Sequence, residues 1–516
     1  MSKRTVVLII LDGWGIGKHD ASNPIFQIKP KNIEFIKSNF PAGALQASGI
    51  AVGLPWQEEG NSEVGHLNIG AGKVIYQNYP KISLAIREES FFKNEVLKAA
   101  FDHAKKNNSA VNLIGLLTDA NVHASYEHLK ALIEFSKREN VEKLNLHLIT
   151  DGRDSPPQSA IELINRLGDE KSKLASVAGR YYGMDRDKHW DRTQNYYSAI
   201  TGNGIITDLN NLENHIKGAY EKGLNDEYVV PTLIGPEKRF ISDNDAVIFF
   251  NFREDRMRQI VDSFITKDFD KFPRKLLSNL YIATLVGYDN RFSVPVAFSK
   301  DASENPLSKI LADNNKTQFR IAETEKYAHV TYFFNGEKEL PFQNEFRVII
   351  PSRSDIHHDE HPEMRAREIT ERLLSALEEE GYDFILANLA NADMVAHTGN
   401  YEATVEAIKI IDEEVGKIVS AVLEHNDFLI ITSDHGNAER MFNPLTGEPE
   451  TKHDPSPVPI YLVAKEFQRP KTEIEMDAAE KNTIGILADV APTILEIMGI
   501  PKPKEITGQS LLKFLR

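Results

Sequence analysis

The sequence lacks cysteine altogether, and it also lacks long apolar runs and a surplus of positive charge. Without cysteine the chain can form no disulfide, no thiolate nucleophile and no cysteine-ligated zinc site. No apolar stretch approaches the roughly 18 residues that a membrane-spanning helix needs. The formal net charge of −16 argues against a nucleic-acid-binding surface, so an anionic ligand would need a local cluster of basic side chains.

Internal repeats, low-complexity tracts and a targeting segment are missing as well. Lys3 and Arg4 precede an apolar run as in a signal peptide, but this run is short and ends at Asp12. Together with the absence of cysteine, this favours a cytoplasmic protein. The chain has 516 residues, of which 41% are hydrophobic and 26% charged, and this composition is typical of a globular enzyme of two or more domains.

Short apolar runs that end in a polar turn alternate with helix-like segments along the whole chain. This alternation predicts an α/β fold with a mainly parallel sheet. Residues 13–17 follow the first such run and read G-x-G-x-G, which differs from the G-x-G-x-x-G pattern of a dinucleotide-binding loop. No clear acid-tipped second strand follows, so we do not expect a nucleotide-binding domain.

Three predicted strands carry an acidic side chain at or shortly after their carboxyl ends, where open α/β sheets place functional groups. These acids are Asp12, Asp393 and Asp434. Three histidines stand close to them in the sequence, namely His397, His435 and His453. This combination predicts a mixed nitrogen and oxygen metal site. Taken alone, Asp434 could instead be a helix N-cap beside an incidental histidine.

These acids and histidines exceed what one ion normally takes from a protein, so the sequence predicts two ions. Two-metal sites commonly stabilise the attacking and leaving oxygens of phosphoryl transfer. Ser62 lies between Gly60 and Gly65 in a turn that opens a predicted helix, where free N–H groups favour a phosphate or an alkoxide. A metal beside Ser62 could make it a nucleophile without a histidine base. The alternative is a serine that only caps the helix.

In the middle of the chain, arginines rather than histidines follow the predicted strands. The five that we single out are Arg153, Arg186, Arg192, Arg253 and Arg256. Guanidinium groups bind phosphate and carboxylate bidentately, so several of them at strand ends favour an anion pocket. Each could alternatively belong to a salt-bridged surface patch.

The candidate metal ligands therefore lie at both ends of the chain, and the arginines lie between them. This predicts a metal-binding domain of residues 1–77 and 303–516, with an inserted domain of residues 78–302. Lys326 could contact a substrate phosphate or lie in a solvated charged turn. We interpret the histidines at 357, 358 and 361 as part of a solvated loop that precedes a helix at 363–379.

Six motifs occur in order over essentially the whole chain: LDGWG at 11–15, GNSEVGH at 60–66, DGRD at 151–154, NFREDR at 251–256, ETEKYAH at 323–329 and SDHGN at 433–437. Together they resemble the cofactor-independent phosphoglycerate mutase family. The resemblance implies an alkaline-phosphatase-like, mainly parallel sheet domain into which an α/β transferase domain is inserted. It also implies interconversion of 3-phosphoglycerate and 2-phosphoglycerate in glycolysis through a phosphoserine.

The resemblance further implies two divalent ions, Mn²⁺ or else Mg²⁺, Co²⁺ or Zn²⁺, and no need for 2,3-bisphosphoglycerate. We expect a small-molecule substrate, no nucleic-acid or membrane partner, and a monomer. One ion would be held by Asp12, Ser62, Asp434 and His435, and the other by Asp393, His397 and His453. Ser62 would carry the phosphoryl group, and Asp154 would shuttle the proton. The implied substrate contacts are His123, Arg153, Asp154, Arg186, Arg192, Arg253, Arg256 and Lys326.

Two positions depart from the family pattern: Ala396 stands where a glycine is frequent, and Asp454 stands where a threonine is frequent. Three other functions remain open. A metal-dependent phosphatase or phosphodiesterase would need Ser62 and the metals but not the arginines. A phosphopentomutase would need a ribose-sized pocket, and a metal-stabilised binding protein would perform no chemistry.

Overall fold

The computed structural model describes residues 4–235, 239–301, 303–353 and 357–515. It consists of two compact units, and we call residues 1–77 with 301–516 unit 1 and residues 78–300 unit 2. Residues 1–3, 302 and 516, which the predicted domain boundaries include, lie outside the described residues. No helix in the described part of the chain combines the length and the apolarity that crossing a bilayer requires.

The strands are numbered in chain order. They are β1 (Val6–Leu11), β2 (Ala42–Gln46), β3 (Val111–Leu117), β4 (Leu144–Thr150), β5 (Leu174–Gly179), β6 (Ile205–Thr207), β7 (Thr232–Ile234), β8 (Ala246–Phe249), β9 (Tyr281–Thr284), β10 (Gln318–Glu323), β11 (Glu345–Ile350), β12 (Phe384–Leu389), β13 (Phe428–Thr432), β14 (Val458–Val463) and β15 (Thr483–Ile486).

The α-helices are α1 (Pro24–Ile28), α2 (Lys31–Asn39), α3 (Ser62–Ala71), α4 (Asn78–Arg87), α5 (Glu95–Asn107), α6 (Tyr126–Arg138), α7 (Ala160–Asn165), α8 (Arg180–Gly183), α9 (Trp190–Ile200), α10 (Leu212–Tyr220), α11 (Arg258–Ile265), α12 (Leu307–Asp313), α13 (Thr324–Ala328), α14 (Ala366–Glu378), α15 (Asn391–Ala396), α16 (Tyr401–His425), α17 (Glu473–Lys481), α18 (Val490–Ile497) and α19 (Leu512–Leu515). Short 3₁₀ helices lie at Gly49–Val52, Phe91–Lys93, Gly168–Lys173, Asp226–Tyr228, Lys465–Phe467 and Leu487–Asp489, and a π-helical turn lies at His329–Phe333.

Unit 1 is built on a sheet of the order β11-β10-β12-β1-β13-β14-β2-β15. Its neighbouring strands run parallel, except that β14 pairs antiparallel with both β13 and β2. Alternate side chains of the central strand β1 pack into two different cores. Val7 and Ile9 join a core with α14 and α16, and Leu8 and Ile10 join another with α18. Burial on both faces explains why β1 is an unbroken apolar run.

Unit 2 contains a second sheet, of the order β6-β7-β5-β4-β3-β8-β9. Only the β5–β7 pair among these described strands is antiparallel. The unit has its own hydrophobic core, to which β3, β4 and β8 contribute together with α5 and α6. The predicted α/β fold with mainly parallel sheets is therefore confirmed.

The three strands that carry acids in unit 1 are direct neighbours. Strand β1 pairs in parallel with β12 on one side and with β13 on the other. Leu11 lies opposite Leu389, and Ile10 lies opposite Thr432, so the three carboxyl ends are level with one another. Side chains that follow these ends must therefore meet at one edge of the sheet.

Candidate active site

The acids that follow β1, β12 and β13 converge at this edge of unit 1, and all three are buried. Ligand atoms of Asp393, His435 and His453 lie within 4.8 Å of one another, and so do those of Asp12, His66 and Asp434. His435 links the two groups, because its Nε2 lies 3.6 Å from oxygens of both Asp12 and Asp434. The same atom lies 4.0 Å from Asp393 Oδ1.

Ser62 is the first residue of helix α3, and its hydroxyl points into this group of acids. Ser62 Oγ donates to Asp12 Oδ1 at 3.1 Å and lies 2.9 Å from His435 Nε2. The helix is capped by Asn61, whose Oδ1 accepts from the Val64 N–H at 2.9 Å. The interpretation of Ser62 as a simple N-cap is therefore wrong, and its hydroxyl remains available for chemistry.

Gly65 allows helix α3 to approach the turn after β13. A Cβ atom at this position would lie 2.6 Å from Asp434 Cβ, which is closer than side chains tolerate. Residues 433–457, all of them described, contain no helix, so Asp434 does not act as a helix N-cap.

His397 and His453 present bare ring nitrogens to Asp393. His397 Nδ1 donates to the Thr451 carbonyl at 2.8 Å, and His453 Nδ1 donates to the Gly60 carbonyl at 2.7 Å. Because a carbonyl oxygen only accepts, the proton of each neutral ring is on Nδ1. The two Nε2 atoms lie 3.1 Å apart and 3.2 and 3.4 Å from Asp393 Oδ1. Two Nε2 atoms that converge on one carboxylate oxygen can both ligate a cation when the rings are neutral.

Asp434 also offers a carboxylate oxygen that could ligate a cation. Its Oδ1 accepts from the backbone N–H groups of Gly13 and His435 at 3.3 and 3.1 Å. Its Oδ2 is buried and receives no hydrogen bond from the described residues. Burial would raise the pKa of the Asp434 carboxyl, but His435, His66 and Lys326 outweigh this and hold the pKa well below its usual range.

Lys326 lies at the centre of this acidic site. Its ammonium donates to Asp12 Oδ1 at 2.5 Å, to Asp393 Oδ2 at 2.7 Å and to Ser62 Oγ at 2.8 Å. Burial opposes its charge, but the carboxylates of Asp12, Asp393 and Asp434 outweigh burial and raise the pKa of Lys326. The alternative of a solvated charged turn is wrong, because Lys326 is only 4% exposed.

The donor atoms of unit 1 fit a divalent metal site. An orphaned carboxylate oxygen, two bare imidazole nitrogens and further carboxylate oxygens surround one small region. Mixed nitrogen and oxygen ligands of this kind suit Zn²⁺, Mn²⁺ and related ions. Asp454 does not turn toward His453: its Oδ1 accepts from the Ser456 N–H at 3.0 Å, and its Oδ2 lies 3.3 Å from Arg440 Nη1.

In unit 2, several of the predicted basic side chains lie close to the carboxylates of Asp255 and Asp154. Arg186 Nη1 donates to Asp255 Oδ2 at 2.6 Å, and Arg253 Nε lies 3.3 Å from Asp255 Oδ1. His123 is buried, with Nε2 3.8 Å from Asp154 Oδ2 and Nδ1 3.7 Å from Asp255 Oδ1. Burial, followed by the charge of a neighbouring arginine, lowers the pKa of His123 to about 4, so the ring is neutral at pH 7.

Arg180 is the most buried arginine of this group, and sequence reasoning did not select it. Its Nη1 donates to Asp151 Oδ1 at 2.6 Å and to Asp154 Oδ2 at 2.5 Å. Arg256 Nη1 donates to the Met184 carbonyl at 3.3 Å. Burial and then the charges of Arg180 and Arg186 lower the pKa of Arg256. We call Arg180, Arg186, Arg253 and Arg256 the arginine cluster.

The other two predicted arginines rest on different carboxylates. Arg192 Nη1 lies 3.2 Å from Asp185 Oδ1, and its guanidinium stacks over the Tyr181 ring at 3.9 Å. Arg153 is exposed, and its Nη1 is 3.7 Å from Glu227 Oε1. Both therefore belong to unit 2 but lack the direct link to Asp154 or Asp255 that holds Arg180, Arg186 and Arg253.

Among the residues of unit 1 that contact the ligand carboxylates without having been predicted to do so are His66 and Asn388. His66 stands in the GNSEVGH motif, one helical turn after Ser62, and Asn388 is a polar residue inside the buried strand β12. The helical spacing and the polar interruption of an apolar run are signals that could have identified them. The histidines at 358 and 361 lie half-exposed beside Glu325 and Glu363 and belong to none of the metal-capable groups among the described residues.

Comparison with known proteins places this geometry in a family. Residues 4–502 match the model of the Metalloenzyme superfamily. The chain is 43% identical to the 2,3-bisphosphoglycerate-independent phosphoglycerate mutase of Clostridioides difficile, over 99% of this chain and 100% of the relative. It is also 43% identical to 2,3-bisphosphoglycerate-independent phosphoglycerate mutase 1 of Methanosarcina barkeri, over 99% and 98%. A crystal structure of Leishmania mexicana phosphoglycerate mutase at low cobalt concentration is similar, with a TM-score of 0.52, 28% identity and coverage of 99% and 98%.

Proposed function

The chain belongs to the family of 2,3-bisphosphoglycerate-independent phosphoglycerate mutases and is an isomerase of 3-phosphoglycerate and 2-phosphoglycerate; we propose that Ser62 carries the phosphoryl group between the two hydroxyls. The observation that carries this proposal is the position of the Ser62 hydroxyl, at the start of α3 and within 3.1 Å of Asp12 Oδ1. A helix N-terminus stabilises negative charge on an alkoxide or a phosphoryl group.

Two divalent ions, which we propose to be Mn²⁺, would be bound by two ligand sets. Asp12, Ser62, Asp434 and His435 would hold one ion, and Asp393, His397 and His453 would hold the other. When bound, such ions lower the pKa of a coordinated hydroxyl and neutralise phosphoryl oxygens. The bare nitrogens of His397 and His453 and the orphaned oxygen of Asp434 support this assignment.

We propose that Lys326 stabilises the negative charge that develops on Ser62 during phosphoryl transfer. Its ammonium already donates to Ser62 Oγ at 2.8 Å, so it can stabilise the serine as an alkoxide and later a phosphoryl oxygen on it.

We propose that the arginine cluster of unit 2, with Arg153 and Arg192, holds the glycerate while it turns. Guanidinium groups bind a carboxylate bidentately, and two of these arginines, Arg186 and Arg253, form ion pairs with the carboxylate of Asp255. Asp154 would give a proton to the glycerate oxygen that loses the phosphoryl group and take one from the oxygen that receives it. Arg180 supports this role because it fixes the Asp154 carboxylate at 2.5 Å. Two in-line transfers at Ser62 give net retention of configuration at phosphorus.

The arginine cluster also argues against a simple phosphatase. A phosphatase needs a serine and metals, but it does not need to keep the dephosphorylated alcohol bound. We further propose a cytoplasmic monomer, since the substrate is a glycolytic metabolite and the chain has no cysteine.

Phosphorus NMR tests the proposed reaction. Protein with Mn²⁺ is incubated with 3-phosphoglycerate and no 2,3-bisphosphoglycerate, and we expect the 2-phosphoglycerate resonance to grow until equilibrium. Growth of inorganic phosphate alone would indicate a phosphatase, and an unchanged spectrum would contradict both enzymatic functions.

A further inference from the structure

We propose that His66 and Asn388 are positioning residues that orient the carboxylates of Asp12 and Asp434 for the ion beside Ser62. The inference rests on the proposed two-ion mechanism and deepens it. Neither residue is a proposed ligand, and both are fully buried in unit 1. Their contacts with two ligand carboxylates define the role.

Asn388 fixes one oxygen of Asp12. Its Nδ2 donates to Asp12 Oδ2 at 2.7 Å and lies 3.1 Å from His66 Nε2. The opposite orientation of the amide would place Oδ1 against the Asp12 carboxylate, where both oxygens would be acceptors. The amide nitrogen must therefore face both partners, and His66 Nε2 must accept its hydrogen bond.

His66 consequently carries its ring proton on Nδ1. This atom donates to the Ser62 carbonyl at 2.8 Å and lies 3.2 Å from Asp434 Oδ2. Ser62 and His66 are four residues apart in helix α3, so they share one face of the helix. His66 thus links the backbone of the proposed nucleophile to a proposed metal ligand.

These contacts would decide which carboxylate oxygens are presented to a bound ion. Because Asn388 takes Asp12 Oδ2, Oδ1 is left to face Ser62 Oγ at 3.1 Å. The backbone N–H groups of Gly13 and His435 hold Asp434 Oδ1, which turns Oδ2 toward His66 and His435. Partners of this kind orient metal ligands and commonly change metal affinity when they are removed.

The second ligand set has its own amide partner. Asn437 Nδ2 donates to Asp393 Oδ1 at 2.8 Å, and this contact involves neither His66 nor Asn388. Loss of His66 or Asn388 should therefore weaken one ion selectively. This selectivity separates a positioning role from a general loosening of the fold.

The test is Mn²⁺ binding to metal-free full-length protein, measured by calorimetry and by electron paramagnetic resonance. In Asn388→Ala and His66→Gln we expect one ion to bind about 10- to 100-fold more weakly and the other to bind unchanged. His66→Asn, whose amide can keep a donor near the Nδ1 position, should retain more affinity than His66→Gln. Asn437→Ala should weaken the other ion instead.

Asn68→Ala is the matched control, because Asn68 is also buried in α3 and its Nδ2 donates to the carbonyls of Val52 and Val64. It should lower the melting temperature without changing Mn²⁺ affinity. Wild-type affinities in both Asn388→Ala and His66→Gln, or an equal loss in Asn68→Ala, would overturn the positioning role. Fewer than two Mn²⁺ per wild-type chain would overturn it together with the two-ion mechanism. Selective loss of one ion in a protein without mutase activity would support the positioning role and reject the proposed function.

Discussion

The Ser62 hydroxyl oxygen lies 2.9 Å from Nε2 of His435. Such a pair could be a nucleophile and its general base, but the charges around His435 argue otherwise. Burial disfavours the imidazolium, yet the carboxylates of Asp434, Asp393 and Asp12 outweigh burial and raise the pKa of His435 to about 10. A ring that is already protonated at pH 7 cannot take the serine proton. The same carboxylates favour a divalent ion at this position, which would displace the ring proton, take neutral His435 as a ligand and activate Ser62 directly.

Removal of the Ser62 hydroxyl should abolish mutase activity and leave the fold intact. In Ser62→Ala the phosphoryl carrier is missing, so we expect turnover to fall by more than about a hundredfold. Ser48→Ala is a suitable control, because Ser48 is a buried serine of unit 1 whose Oγ donates to the Pro455 carbonyl at 2.9 Å and accepts from Gln46 Nε2 at 3.2 Å. Steady-state assays of both variants test this, and more than about a hundredth of wild-type turnover in Ser62→Ala would rule out the phosphoserine.

Removal of divalent metal should abolish activity, and added Mn²⁺ should restore it. His397→Ala and His453→Ala should each lose one ion, since both rings aim Nε2 at Asp393. His361→Ala, a half-exposed histidine that pairs with Glu363, is the matched control and should keep both ions. Elemental analysis gives the ion content per chain, and an equal content in all three variants would contradict the assigned ligands.

Replacing an arginine of the arginine cluster with lysine should increase the release of inorganic phosphate. A lysine keeps the charge of Arg253 or Arg256 but loses the bidentate fork. Glycerate would then leave before its second hydroxyl is presented, and the stranded phosphoserine would react with water. We expect a higher ratio of inorganic phosphate to 2-phosphoglycerate in Arg253→Lys and Arg256→Lys. Arg138→Lys, on the surface of α6 beside Glu134, is the control. An unchanged ratio at a reduced total rate would reduce these arginines to a structural role.

Unit 2 should lose stability in acid because two buried histidines remain neutral in its core. Burial lowers the pKa of His128 and of His147 to about 3, from 6.5 when exposed. Between these values the unfolded chain binds protons that the folded chain does not. The stabilisation is therefore complete above pH 6.5 and is lost as the pH falls toward 3, by about 1.4 kcal/mol per pH unit for each histidine.

His147→Gln tests this effect, because glutamine can still donate to Asn112 Oδ1, the partner of His147 Nε2 at 3.2 Å. Denaturant unfolding of the wild type and the variant is compared at pH 7 and pH 5. The carboxyl groups titrate equally in both proteins. Between pH 7 and pH 5 we therefore expect the variant to lose less free energy of unfolding than the wild type, by the contribution of one histidine, which is about 1.4 kcal/mol per pH unit below 6.5. Equal losses would show that His147 does not stay neutral in the folded chain.

The fold and the principal acids of the site could be predicted from local sequence patterns. Burial on both faces makes β1 and β13 continuous apolar runs, and Asp12 and Asp434 follow directly where these runs end. Asp393 was found in the same way, although it lies within α15 rather than at the strand end itself. Local pattern suffices when the chemistry immediately follows a strand.

Individual contacts between distant residues could not be predicted from local patterns. Asn388 contacts His66 across 322 positions, and Lys326 reaches Asp12 across 314. No local pattern specifies such contacts, because they depend on how the strands are ordered in the sheet. Arg180 was missed for a related reason: its burial depends on Asp151 and Asp154, which follow a different strand.

The central claim is that phosphate passes through Ser62, and rapid acid quenching tests it most directly. The Mn²⁺-loaded enzyme is mixed with 3-phosphoglycerate, quenched in acid during turnover, digested and examined by mass spectrometry. We expect a fraction of the peptide that contains Ser62 to gain the mass of one phosphoryl group, with the modification on Ser62 and absent before substrate is added. Full conversion to 2-phosphoglycerate with no phosphorylated peptide at any quench time, or a phosphoryl group on another residue, would contradict the account.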